Sequence, residues 1–208
     1  MLFHADMPRV LKLDRLALLV GVAAIAGAAA SGACSRKPVE APEAAPRTLA
    51  EETVIDDFKT RLDRYNGIST GLRDEVFPST SEAESAEIHR RQKELARRIA
   101  SALPDWQQGA IFTPGISDLI RRRLAEVLAG PQGANIRGAI FDEAPPPQRV
   151  VVMSEYPAGL PVATVPAQIL ERLPVLPKQL EYRFIGKDLI LFDVSAYLMV
   201  DVIRDAIE

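Results

Sequence analysis

One cysteine, two histidines and one tryptophan are all that this chain of 208 residues offers of the side chains that most often bind metals, attack substrates or stack on ligands. A single cysteine cannot close an intramolecular disulfide, so disulfides contribute nothing to the fold. His4 lies among the first residues and His89 stands alone in the body of the chain. A metal site built from several imidazoles is therefore excluded, as is a triad that combines a histidine with a cysteine. His89, between Ile88 and Arg90, reads as a surface histidine rather than a general base. An excess of charge of one sign is also missing. The 25 basic and 28 acidic residues leave a formal net charge of −3, which gives no general pull toward nucleic acid or an anionic membrane. No glycine-rich phosphate loop, nucleophile elbow or EF-hand spacing occurs, so neither cofactor nor metal is expected.

What the chain does have begins at its start. Arg9, Lys12 and Arg15 form a basic head, and Leu16 to Ala30 then run as LALLVGVAAIAGAAA without a charge. Ser31, Gly32 and Ala33 are small, and Cys34 follows. A positive head, a short apolar run and a small-residue zone mark residues 1–33 as a bacterial export signal. The apolar run is shorter than the ~20 residues that cross a bilayer, which makes a permanent membrane helix the weaker reading. Ser31 and Ala33 satisfy the ordinary signal peptidase. Gly32-Ala33-Cys34 also resembles a lipobox, whose cysteine thiol receives a diacylglycerol and becomes the new N-terminus, although Ser31 stands where leucine is usual. Lipidation of Cys34 would provide a membrane anchor and would account for a lone thiol in an oxidising compartment. The expected location is the cell envelope: exported, periplasmic, and held at a membrane by lipid.

Residues 34–47, with Pro38, Pro42 and Pro46 among alanines and charges, cannot bury enough surface to fold. They read as a disordered tether, extended at ~3.1 Å per residue and reaching about 40 Å.

Two halves of one globular unit follow, helical over 48–142 and β-rich over 143–208. In the first, Thr48 and Glu51 fit a capping box, and Ile55, Phe58, Leu62 and Tyr65 recur at helical spacing, with Leu72 and Val76 beyond. Pro78 closes that run. A second box, Ser81 to Glu84, opens a helix with Ile88, Leu95, Ile99 and Leu103 on one face. Thr113-Pro114 starts a third, and Gly130 is a natural C′ residue. A short fourth helix near 132–141 is compatible with the pattern. An antiparallel three-helix bundle is the economical packing. Two basic clusters, Arg90, Arg91, Lys93, Arg97 and Arg98 and then Arg121 to Arg123, read as solvated faces paired through Glu94–Arg98 and Asp118–Arg122, in preference to an anion site.

In the second half, RVVVM (149–153) is dense enough in β-branched residues for a buried strand. Pro166 could begin a short helix through Ile169, Leu170 and Leu173. Leu180, Tyr182 and Phe184 alternate with polar residues, Gly186-Lys187 supplies a two-residue turn, and DLILF (188–192) returns. YLMVDVI (197–203) gives a third strand. The fold class is α+β: a three-helix bundle followed by a small antiparallel β-meander packed on the helices.

The strings LPVLPKQLEYRFIGKDLILFD and VDVIRDAI, with GAIFTPGISDLIRRRL upstream, resemble a family of small exported bacterial proteins over most of residues 50–208. The final hairpin is loosely similar to small periplasmic domains linked to metal homeostasis, but the histidine and cysteine ligands such a role favours are absent. The resemblance implies an exported α+β protein and carries over no catalytic residues.

Glu181, Asp188, Asp193 and Asp201 surround the meander and are read as turn caps and edge protection rather than as calcium ligands. A Tyr182, Phe184, Tyr197 surface reads as core. Two classes of function remain: a non-enzymatic envelope lipoprotein acting by contact with a protein partner or ligand, and a small periplasmic hydrolase using a carboxylate pair.

Overall fold

The computed structural model describes residues 48–77 and 85–207. The expected signal and tether, Cys34, Pro78 and the expected Ser81–Glu84 capping box lie outside them. Four helices come first: α1 Leu49–Val76, α2 Ser85–Ala102, α3 Pro114–Ala129 and α4 Gly133–Glu143. The remainder holds β1 Ser154–Glu155, the short α5 Ala167–Leu170, β2 Leu180–Ile185, β3 Asp188–Asp193 and β4 Leu198–Ile203. The strands form one antiparallel sheet in the order β1-β4-β3-β2, and the class is α+β.

The start of α1 follows the capping pattern: the Thr48 hydroxyl accepts the Glu51 amide at 3.3 Å. Its buried face is Ile55, Phe58, Leu62, Tyr65 and Ser69, a 3–4 residue stripe. α2 buries Leu95, Ala96 and Ile99 but leaves Ile88 40% exposed, so the expected face stops short of the helix's first turn. α3 begins with Pro114 at its first position, but the Thr113 hydroxyl makes no cap. Gly130 ends that helix in an extended conformation, φ −71°, not the left-handed one its identity suggested. Tight packing explains a different glycine. A Cβ on Gly133 would lie 1.9 Å from the Leu128 carbonyl oxygen, so only glycine lets α4 start that close to α3.

The β2–β3 hairpin has the expected register, Ile185 opposite Asp188 and Leu180 opposite Asp193, with Gly186 at φ +56° in the turn. The sheet is covered on both faces. Leu180, Tyr182, Phe184, Leu189 and Leu191 join the helices in the main core. Ile185, Ile190, Phe192, Met199 and Val202 form a second cluster on the outer face with Val150 and Tyr156. Tyr182 and Phe184 thus share the helix face, whereas Tyr197, at φ +54°, turns to the outer one beside Tyr156 and Phe192.

RVVVM is not a strand. Met153 sits at φ +59° and breaks the extended run, Val151 is 47% exposed, and the Arg204 guanidinium takes the Val150 carbonyl. The strand paired with β4 is only Ser154 and Glu155, flanked by the Met153 and Tyr156 amides, which donate to the Met199 and Tyr197 carbonyls at 2.8 and 2.9 Å.

The segment from Tyr156 to Pro177, with prolines at 157, 161, 166, 174 and 177, explains the covering of the outer face. Tyr156 and Leu160 belong to the outer cluster, whereas Val165, Ile169 and Leu173 belong to the main core. The chain therefore passes around the β2 edge between Leu160 and Val165, fastened by the Arg183 guanidinium donating to the Ala163 carbonyl at 2.6 Å. Prolines suit this path because a chain that joins no ladder has little use for amide donors.

Candidate functional site

The two carboxylates buried deepest are structural. Asp193 and Asp201 are both fully buried, and both point to the helix side of the sheet. One oxygen of Asp193 accepts the Tyr65 hydroxyl at 2.9 Å and the Ser69 hydroxyl at 2.7 Å, from residues one turn apart on α1. The other accepts the amides of Ser195 and Ala196 at 2.9 and 3.1 Å, turning the chain into β4. Burial and the Asp193 charge hold the Tyr65 hydroxyl far above the usual tyrosine range, so it remains a donor.

Asp201 accepts four amides: Gly109 and Val202 on one oxygen at 2.9 and 2.8 Å, Ile111 and Phe112 on the other at 2.8 Å each. Desolvation pushes this carboxyl above the usual range while the four amides pull it down. The carboxylate gathers the loop between α2 and α3, and Trp106 adds an indole bond to the Val200 carbonyl at 3.2 Å. Of the two, Asp193 caps a turn as expected. Asp201 is instead a mid-strand clasp, a role no local pattern signals.

The other acids named from sequence are also engaged, each elsewhere. Asp188 accepts the Arg204 guanidinium at 2.7 Å and the Asp205 amide at 2.9 Å, and Glu181 pairs with Arg183 on its own strand. The four carboxylates are not brought to one center. Among the described residues no group of three or more His, Cys, Asp and Glu stands together in a metal-binding arrangement. Asp188 and Asp205 do line one pocket, but it holds only about 240 Å³ and Asp188 is already spent on Arg204.

The basic clusters are paired largely as solvated faces. Glu94 serves Arg97 at 3.0 Å and Arg98 at 2.8 Å, and Glu87 serves Arg90 and Arg91. The expected Asp118–Arg122 pair is replaced: Asp118 meets Arg121 at 3.3 Å and Arg122 reaches Glu51 at 3.4 Å. The three consecutive arginines fan out as a helix requires, with Arg123 donating to the Arg172 carbonyl near α5. His89 lies on the exposed side of α2.

What sequence reasoning missed is an apolar groove of about 530 Å³ beside the β2 edge, walled by Val165, Leu170, Pro174, Val175, Leu176 and Tyr182. Val175 is 91% exposed and Leu170 46%. The Tyr182 hydroxyl donates to the Pro174 carbonyl at 3.0 Å and fixes the far wall to the strand. Burial holds that hydroxyl far above its usual range, and nothing in its setting offers it as an acid. A concave, largely apolar surface with few polar groups suits binding better than proton transfer. The only hint of it in the sequence is the pair of apolar residues between Pro174 and Pro177, too short to belong to either periodic pattern.

No family model, curated protein or solved structure matches this chain.

Proposed function

We propose that this is an exported cell-envelope protein, anchored through lipid on Cys34, whose domain works by contact with a partner and not by catalysis. In this reading residues 1–33 are removed, residues 34–47 hold the domain up to about 40 Å from the membrane, and α1–α3 form an antiparallel bundle that carries the meander as one rigid unit. The observation that carries the contact reading is the apolar groove beside β2, open to solvent and edged by Val175 and Leu170. Asp193 and Asp201, occupied by hydroxyls and amides, offer no carboxylate pair to the hydrolase alternative. The basic head, the apolar run and Gly32-Ala33-Cys34 support the anchor.

Fractionating cells that express the native chain and Cys34→Ala tests the anchor. The native protein is expected in the membrane fraction, and the variant in the soluble envelope extract or unprocessed. Equal partitioning of both would remove the anchor from the account.

A further inference from the structure

A recess of about 240 Å³ lies between the end of α4, the proline segment that follows it and the β2–β3 turn. Its frame is fixed by backbone bonds. The Gly186 amide donates to the Pro145 carbonyl and the Ala206 amide to the Lys187 carbonyl, both at 2.9 Å. A Cβ on Gly186 would lie 2.9 Å from Pro147 Cγ, so the proline segment closes on the turn at a spacing that suits glycine alone. Asp188 is taken up by the Arg204 guanidinium and the Asp205 amide. Asp205 itself stands at φ +45°, in the left-handed region that few residues other than glycine enter.

Within this frame three polar groups are left unused. The Lys187 ammonium and the Asp205 carboxylate both line the recess, yet they pair neither with each other nor with any described residue. The Gln148 amide nitrogen is shut off from solvent with no acceptor among the described residues, and buried orphans of this kind are rare. Phe141 stands beside them 42% exposed, an aromatic ring outside both core clusters.

We infer that the recess is a binding site for a small zwitterion of the α-amino acid class. Lys187 takes the carboxylate, and the Gln148 amide, turned about its soft terminal torsion, donates to it as well. Asp205 takes the ammonium. The ligand's side chain lies along Phe141 and Pro146, an apolar wall that matches an apolar group. Charge selects this class. A simple anion on Lys187 would face the Asp205 carboxylate, and a simple cation on Asp205 would face the Lys187 ammonium. Size selects a single residue, because the recess is smaller than sites for drug-sized ligands. The site shares no residue with the groove beside β2 and stands whether or not that groove has a partner.

The test is a titration of the isotopically labelled full chain with L-leucine, read by amide chemical shifts. Saturable shifts of the Gly186, Lys187, Asp188 and Asp205 amides are expected, with a Kd of roughly 0.1–5 mM. Isocaproate, which lacks the ammonium, and isoamylamine, which lacks the carboxylate, should each bind about tenfold or more weakly than leucine. Lys187→Gln and Asp205→Asn should each weaken leucine binding by a similar factor. Both side chains are unpaired and asparagine accepts a left-handed φ, so neither variant should lower the thermal midpoint. Phe141→Ala should weaken leucine binding as well. Absence of shifts at about 50 mM leucine overturns the proposal, as does undiminished binding by the two charge variants. So does isocaproate or isoamylamine binding as tightly as leucine, which reduces the recess to a site for charge of one sign.

Discussion

Tyr65 donates its hydroxyl to Asp193 across 2.9 Å, joining the first helix to the end of the central hairpin over 128 positions of sequence. Ser69, one turn further along α1, donates to the same oxygen at 2.7 Å. Helix and sheet meet through this shared acceptor as well as through apolar packing. Tyr65→Phe and Ser69→Ala should each cost about 1–2 kcal/mol, and the double variant should cost measurably more or less than their sum, because both act on one carboxylate. Denaturant unfolding of the four proteins in that cycle checks this.

The same pair sets an alkaline limit. The folded value of Tyr65 lies well above the unfolded value near 10, because burial and the Asp193 charge favor the protonated hydroxyl. Its contribution is complete below the unfolded value and is lost as pH rises from there through the folded value. Unfolding free energy should fall as the pH is taken above about 10, and Tyr65→Phe should reduce that slope. Tyr182, also raised by burial, accounts for part of what remains.

Asp201→Asn tests the clasp. Asparagine keeps one acceptor oxygen and sets an NH2 against two of the four amides from Gly109, Ile111, Phe112 and Val202. A loss of about 3 kcal/mol is expected, with exchange of the Ile111 and Phe112 amides accelerated beyond the global change. A loss within about 0.5 kcal/mol would mean that the loop is held by its apolar residues alone.

Glycines in α1 and at the start of α4 should respond in opposite directions. Gly67 and Gly71 have open space where a Cβ would stand, so alanine at either should stabilize by up to about 1 kcal/mol through helix propensity. Gly133→Ala drives a methyl into the Leu128 carbonyl and should destabilize by about 1–3 kcal/mol or shift α4. Thermal unfolding of the three variants distinguishes the cases.

The exposed pairs on α2 should matter little. Arg90→Gln and Arg97→Gln each remove an ion pair whose arginine is over two-thirds exposed, so each should change stability by less than about 0.5 kcal/mol, as denaturant unfolding would read it.

Elements whose signal is local were legible in the sequence. The β2–β3 hairpin announces itself by alternation and Gly186, and the buried stripe of α1 by its spacing and its Thr48 cap. The 149–153 segment misled because β-branched density says nothing of a positive φ at Met153 or of an arginine side chain claiming the Val150 carbonyl. Ile88 misled because a helical stripe shows which residues share a face, not how far the neighboring element extends along it. The groove was invisible for a related reason. Its walls come from a proline-broken segment and an edge strand, and neither is periodic with the other. The four-amide role of Asp201 requires knowing that the 109–112 loop crosses β4, which no short pattern encodes.

Whether the domain is carried outside the cytoplasm on a lipid at Cys34 is decided most directly by intact-mass spectrometry of the protein purified from cells. The account expects a chain that starts at Cys34 and bears added acyl mass on that residue. A chain that retains Met1 and is recovered from the cytosol, or a mature terminus at Cys34 without added mass, would contradict it.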